Sequence, residues 1–166
     1  MADTKTLVIF SFLIMIWLLL RRNSFRQLIL FFVIMGGGVL ITFIMKISIE
    51  RERPGDVVYV DLWGMGDTLI SYGYPSGHAV KALLYFGFLL YIVVNEMKDR
   101  FIKNGIIFIF TAIILFNGFG QIVLEKHYLT DVLGGYLVGI TWFCVCLSIL
   151  QPYRKITMSS GNSISI

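Results

Sequence analysis

The chain has 166 residues, of which 57% are hydrophobic and only 14% charged, with a mean hydropathy of +0.82. Soluble domains carry about 25% charged residues, so a soluble globule is excluded and a single membrane-embedded domain is expected. The net charge of +4 matters less than where the charges sit, and two cysteines with no other ligand set at metal-binding spacing leave no zinc site.

Five apolar runs follow one another: Leu7–Leu20, Leu28–Met45, Ala79–Val94, Gly105–Leu124 and Val132–Leu150. A spanning helix needs about 20 mainly apolar residues. The last two runs meet this directly, the second nearly does, and the third does so when counted from Ser76. The first is short. Arg21 and Arg22 close it, and no small-residue cleavage pattern follows, so it reads as a span with snorkelling arginines rather than a signal peptide. The expected fold is therefore all-α, a polytopic bundle of five transmembrane helices occupying residues 1–158. The small polar stretch 159–166 is expected to be a flexible tail.

Charge sets the orientation. Arg21, Arg22 and Arg26, then Lys98, Arg100 and Lys103, then Arg154 and Lys155, fall on one side of such a bundle. That side carries only Glu96 and Asp99 in return. The positive-inside rule makes it cytoplasmic. The outer side receives segment 46–78 and segment 120–131. Gly36, Gly37 and Gly38 in the second run, and Gly135 and Gly139 in the fifth, permit close helix contact. Cys144 and Cys146, two residues apart in one apolar run, read as reduced packing residues.

Both histidines lie on the outer side, among three clusters. Lys46 and Arg53, with Pro54 after them, are seven residues apart. On a continuous helix they share a face and make a plausible anion clamp. Pro75, Ser76 and Gly77 precede the third run. There Pro75 can open a helix, and Ser76 and Gly77 bring free backbone N–H groups to an anion site at the helix N-terminus, with His78 in the first turn. His127 and Asp131 lead into the fifth run. A four-residue spacing places them together on a helix, where a carboxylate on one imidazole nitrogen makes the other a better nucleophile. The plainer alternatives are polar interfacial loops and a structural His–Asp pair.

Taken in order, these clusters resemble the type 2 phosphatidic acid phosphatase superfamily, whose signature is K-x6-R-P, then P-S-G-H, then S-R-x5-H-x3-D. Lys46, Arg53 and Pro54 match the first motif. Pro75, Ser76, Gly77 and His78 match the second, and His127 and Asp131 the third. The resemblance covers about residues 28–150. It implies that His127 attacks phosphorus to form a phosphohistidine, Asp131 holds His127, and His78 protonates the leaving group. It further implies that Lys46, Arg53, Ser76 and the Gly77 N–H bind the phosphoryl oxygens, with no metal and no cofactor. Fixed cations and N–H donors suffice for such chemistry, which is mostly positioning and charge stabilisation.

Two departures stand out. The S-R pair of the third motif reads Gly120 and Gln121 here. Gln121 can still donate a hydrogen bond, but a lost bidentate arginine costs about 2–5 kcal/mol of anion binding. Lys81, three residues after His78, is the candidate substitute, and snorkelling to the interface is its plain alternative. Arg51 and Lys126 are weaker candidates. The family's membrane members also usually have six spans, against five here. The implied partners are a lipid phosphate and the bilayer, not nucleic acid. Undecaprenyl diphosphate, phosphatidylglycerol phosphate, phosphatidate and the 1-phosphate of lipid A all fit. The implied location is a bacterial inner membrane with the site facing outward. Tyr59, Trp63, Tyr72 and Tyr74 are expected to anchor segment 46–78 at the interface, covering or gating the site. Two rivals remain: a membrane protein that binds lipid phosphates without turnover, and a rhomboid-like serine hydrolase using Ser76. For the latter, the run from Gly73 to Gly77 is one residue too long.

Overall fold

The computed structural model describes residues 24–54, 59–61, 68–70 and 72–150. Four helices carry the chain: α1 (Ser24–Ile49), α2 (Gly77–Glu96), α3 (Arg100–Val123) and α4 (Leu129–Leu150). Each holds a stretch long and apolar enough to cross a bilayer. The second to fifth apolar runs of the sequence therefore lie within helices, apart from Leu124, the C-cap of α3, and the fold is a transmembrane helix bundle. The first run, Leu7–Leu20, and the tail 159–166 lie outside the described residues, as does Trp63. Between α1 and α2, a short antiparallel hairpin pairs β1 (Tyr59–Asp61) with β2 (Thr68–Ile70), with Val60 opposite Leu69.

The helix α2 is the hub. It packs against the other three, whereas α1 and α3 do not touch among the described residues. Leu30, Phe31 and Ile34 of α1 meet Val80, Leu84, Tyr85, Phe88 and Ile92 of α2, with Cys146 of α4 completing the cluster. Phe31 tilts onto Phe88 at 5.1 Å between ring centroids, and Phe86 reaches Phe110 of α3 at 5.4 Å. The outer faces of α1, α3 and α4 expose large apolar side chains, including Phe108, Phe116 and Leu137. Hydrocarbon is the medium in which such faces cost nothing. Both cysteines are unbonded; Cys146 packs in the core, whereas Cys144 lies on the outer surface.

Close approach is set by glycine. A Cβ built on Gly135 would lie 2.8 Å from the Ser76 carbonyl oxygen and 3.0 Å from the Ala79 Cβ. One on Gly139 would lie 3.0 Å from Leu83. The backbone of α4 thus lies against the start of α2, as small residues allow within a membrane. Gly37 and Gly38 likewise face Trp142 and Leu84, but no described residue outside the helix's own backbone lies within 4 Å of where a Gly36 Cβ would stand.

Gly135→Ala is accordingly expected to destabilise the protein by about 1–3 kcal/mol, because backbone cannot yield as a side-chain tip can. Gly36→Ala is expected to be neutral or mildly stabilising. Thermal unfolding of both variants in detergent checks the contrast.

Candidate active site

Three local structures deliver the polar residues to one end of the bundle. The first is the end of α1. Its last turn carries Lys46, and Glu50 follows in a left-handed conformation at φ 49°, with its N–H on the Lys46 carbonyl at 3.1 Å. The helix stops there and the chain turns back, so Arg53 is not on the helix. Lys46 and Arg53 do come within electrostatic range of each other. The turn at Glu50 does this, not a shared helical face. The Lys46 ammonium donates to the Tyr72 carbonyl, and its stem passes 4.0 Å from where a Gly77 Cβ would stand.

The second is the start of α2. Ser76 is its N-cap, fully buried, with its Oγ accepting from the Ala79 N–H at 3.5 Å. Pro75 thus precedes the cap rather than opening the helix. The Ser76 N–H is not free. It donates to the Asp131 carbonyl at 2.9 Å, which ties α2 to α4 and removes it from the set of available anion donors. The N–H groups of Gly77 and His78 have no partner among the described residues, as befits a helix N-terminus. No hydrogen bond joins the Ser76 hydroxyl to either histidine among the described residues, so a serine nucleophile lacks its base.

The third is the turn between α3 and α4. Glu125 is left-handed at φ 53°, its N–H bonds the Ile122 carbonyl at 2.9 Å, and the Lys126 N–H bonds the Gln121 carbonyl at 3.1 Å. This is a Schellman ending, built with a glutamate where glycine is usual. His127 comes next, its N–H 3.3 Å from the same Gln121 carbonyl. The histidine therefore precedes α4, rather than lying on it as the four-residue spacing suggested. Asp131 sits in the first turn of α4 and reaches back to the Tyr128 N–H at 2.9 Å, half of a capping box. His127 Nδ1 faces Asp131 Oδ2 at 3.6 Å, too far for a hydrogen bond, and has no such partner among the described residues.

Charge collects around these groups. His78 lies in electrostatic range of Lys81, Arg53, Lys126 and Lys46. His127 lies in range of Arg53, Lys46 and His78. Burial, and then the charges of Arg53, Lys46 and His78, push His127 down to about 3 from its ordinary value, while a hydrogen bond with the Gly73 backbone works the other way. Its ring is neutral in the free protein. Lys81, half-buried on α2, is also in range of Lys46. Gln121 is buried, with its Oε1 lacking a hydrogen-bond partner among the described residues. The structure thus brings Lys46, Arg53, Ser76, Gly77, His78, Lys81, His127 and Asp131 to one end of the bundle, with Gln121 bonded to the His127 backbone.

Sequence reasoning undervalued Arg51. Its Nη1 lies 2.9 Å from Asp131 Oδ1 and donates to Thr130 Oγ1 at 2.7 Å, and its guanidinium stands 4.8 Å from the Tyr128 ring centroid. Spacing could not reveal this, because it depends on the left-handed turn at Glu50. The Tyr74 ring fills the space where a Gly134 side chain would be, so it packs on α4. Tyr72 is half-buried and holds Lys46 through its carbonyl.

The chain is similar to known proteins in sequence and in fold. The family model described as PAP2 superfamily matches residues 27–155. Phosphatidylglycerophosphatase B of Bacillus subtilis (strain 168) is 27% identical over 116 residues, 69% of this chain and 54% of that protein. A palmitoyl-protein thioesterase-dolichyl pyrophosphate phosphatase fusion of Schizosaccharomyces pombe is 30% identical over 117 residues, 63% of this chain and 16% of that protein. The chain thus spans about half of the first and a smaller part of the second. In fold it is similar to a transmembrane PAP2 type phosphatidylglycerolphosphate phosphatase from Bacillus subtilis. The TM-score is 0.71 at 23% identity, covering 89% of this chain and 70% of that one.

With only two histidines in the chain, histidine-selective NMR of the free protein in detergent gives one signal each. Because the lowered value leaves His127 uncharged above about pH 3, its ring is expected to stay neutral at about pH 5, where a solvated imidazole is protonated. Ordinary titration of both rings would show that His127 is hydrated.

Proposed function

Because the chain belongs to the PAP2 superfamily, we propose that it is an integral membrane phosphohydrolase that removes phosphate from a lipid headgroup. The observation that supports this most is the meeting of two imidazoles, one buried carboxylate and several cations from three separate segments of the chain. A cluster with that much positive charge favours a polyvalent anion.

The reaction follows from the atoms. The phosphate seats between Lys46, Arg53 and the free N–H groups at the start of α2. With Nδ1 of His127 toward Asp131, Nε2 is the nitrogen that attacks phosphorus. It first gives up its hydrogen bond with the Gly73 backbone, and the neutral ring then carries its proton on Nδ1 and its lone pair on Nε2. As the N–P bond forms, the bond to the lipid oxygen breaks, and His78, which holds a second proton once the bound phosphate offsets the cations around it, gives that proton to the leaving oxygen. The Nδ1 proton is then drawn to Asp131, which closes the 3.6 Å gap of the free state. Water, deprotonated by His78, then cleaves the phosphohistidine, releasing inorganic phosphate and restoring both rings. No metal takes part. Lys81 supplies the charge that Gln121 does not bring.

The substrate class is a phosphate or diphosphate at headgroup level, presented at the outer border of a bacterial inner membrane. Phosphatidylglycerol phosphate is the first candidate, given the Bacillus phosphatidylglycerophosphatase B that this chain resembles. A polyprenyl diphosphate is the second, given the fission yeast protein. Phosphatidate and lipid A 1-phosphate complete the panel. A second reading, binding without turnover, draws on Gln121 standing where the family has arginine.

Phosphate release from that panel in detergent, with and without EDTA, tests the proposal. Release is expected without added divalent metal, and His127→Ala is expected to lower it by about a thousandfold or more. Equal, negligible release from both proteins would leave only binding, and a clear magnesium requirement would contradict the mechanism. Lys81→Ala is expected to lower kcat/KM by roughly tenfold or more, and by more than Lys126→Ala does. The reverse order would remove Lys81 from the site.

A further inference from the structure

We propose that Arg51 is a positioning residue that locks the three motif segments together and aims the Asp131 carboxylate at His127. Arg51 lies in the spacer of the first motif, between Lys46 and Arg53, where the family pattern specifies no residue. Its contacts join all three segments. Its carbonyl accepts the Gly73 N–H at 2.6 Å, which fixes the chain leading into Pro75 and Ser76. Its guanidinium reaches across to Asp131 and Thr130 in the first turn of α4, and stands over the Tyr128 ring.

The two carboxylate oxygens of Asp131 have separate partners. Oδ1 faces Arg51 at 2.9 Å, an ion-pair contact whose angle is not that of a hydrogen bond. Oδ2 accepts the Tyr128 N–H and faces His127 Nδ1. Arg51 therefore fixes which oxygen the imidazole sees. Lys46 and Arg53 also act on this carboxylate, at longer range. Nη1 alone meets both the carboxylate oxygen and the Thr130 hydroxyl, while the guanidinium plane stands over the Tyr128 ring, a stacked contact that a compact ammonium does not reproduce. The Asp131 side chain has no exposed surface, whereas that of Arg51 is 38% exposed.

This inference rests on the phosphohydrolase reading, and its test separates the two. Arg51→Ala, Arg51→Gln and Arg51→Lys are assayed for kcat and KM on the best lipid of the panel. Inhibition by inorganic phosphate and thermal unfolding are measured alongside. The expected result is a kcat lowered roughly tenfold to a hundredfold in Ala and Gln, with KM and phosphate inhibition within about threefold and partial recovery in Lys. A loss carried mainly by KM and phosphate inhibition would make Arg51 a phosphate ligand and overturn the proposal, as would a kcat within about twofold of the parent. If the parent releases no phosphate from any lipid, the phosphohydrolase reading falls. Histidine-selective NMR then still decides the role of Arg51. Arg51→Gln is expected to shift the His127 signal and leave that of His78 in place, and an unmoved His127 signal would overturn the proposal.

Discussion

Asp131 carries its charge with no exposed surface at the mouth of the bundle, and the groups around it are what make that burial tolerable. A buried carboxylate is stable only when cations and N–H donors replace its lost water. Here the guanidinium of Arg51 takes one oxygen, and the Tyr128 N–H takes the other. The main-chain carbonyl of the same residue holds the Ser76 N–H. One residue thus joins the end of α1, the cap of α2 and the first turn of α4. The positive charge near it exceeds what one carboxylate can balance, with Lys46, Arg53, Lys81 and Lys126 all within range of the site's groups. That imbalance is the physical basis for anion binding.

The rest of the fold serves this junction. The helix α2 touches every other helix, so its N-terminus has a fixed place in the bundle. Gly135 lets α4 lie against the Ser76 carbonyl, and Gly134 gives the Tyr74 ring its seat. Both loops that enter the site leave a helix through a left-handed glutamate, Glu50 or Glu125. In each case the turn reverses the chain within a few residues, returning basic side chains over the helix ends. These non-glycine left-handed residues cost local stability, as functional sites commonly do.

The sequence made the spans and the three clusters visible because each leaves a local signal: apolar length for the helices, and unusual polar residues at their borders for the site. Geometry beyond one element was not visible. Lys46 with Arg53, and His127 with Asp131, do meet, but through turns at Glu50 and Tyr128 rather than along continuous helices. The Ser76 N–H looked free because its partner, the Asp131 carbonyl, lies 55 positions away in the chain. Arg51 looked secondary because its partners, Thr130 and Asp131, lie on another helix. No pattern announced the seat of the Tyr74 ring at Gly134. In each case the missing information was a tertiary contact, which periodicity and spacing do not encode.

The central claim is that two imidazoles and several cations from distant segments surround one tetrahedral anion. A crystal structure of the protein with orthovanadate in a lipid phase tests this most directly, because vanadate takes the five-coordinate geometry of phosphoryl transfer. The account predicts vanadium bonded to Nε2 of His127, with His78 at the opposite apical oxygen and Lys46 and Arg53 on the equatorial ones. Vanadate bound elsewhere, or held at His127 with His78 out of reach of the apical oxygen, would contradict it.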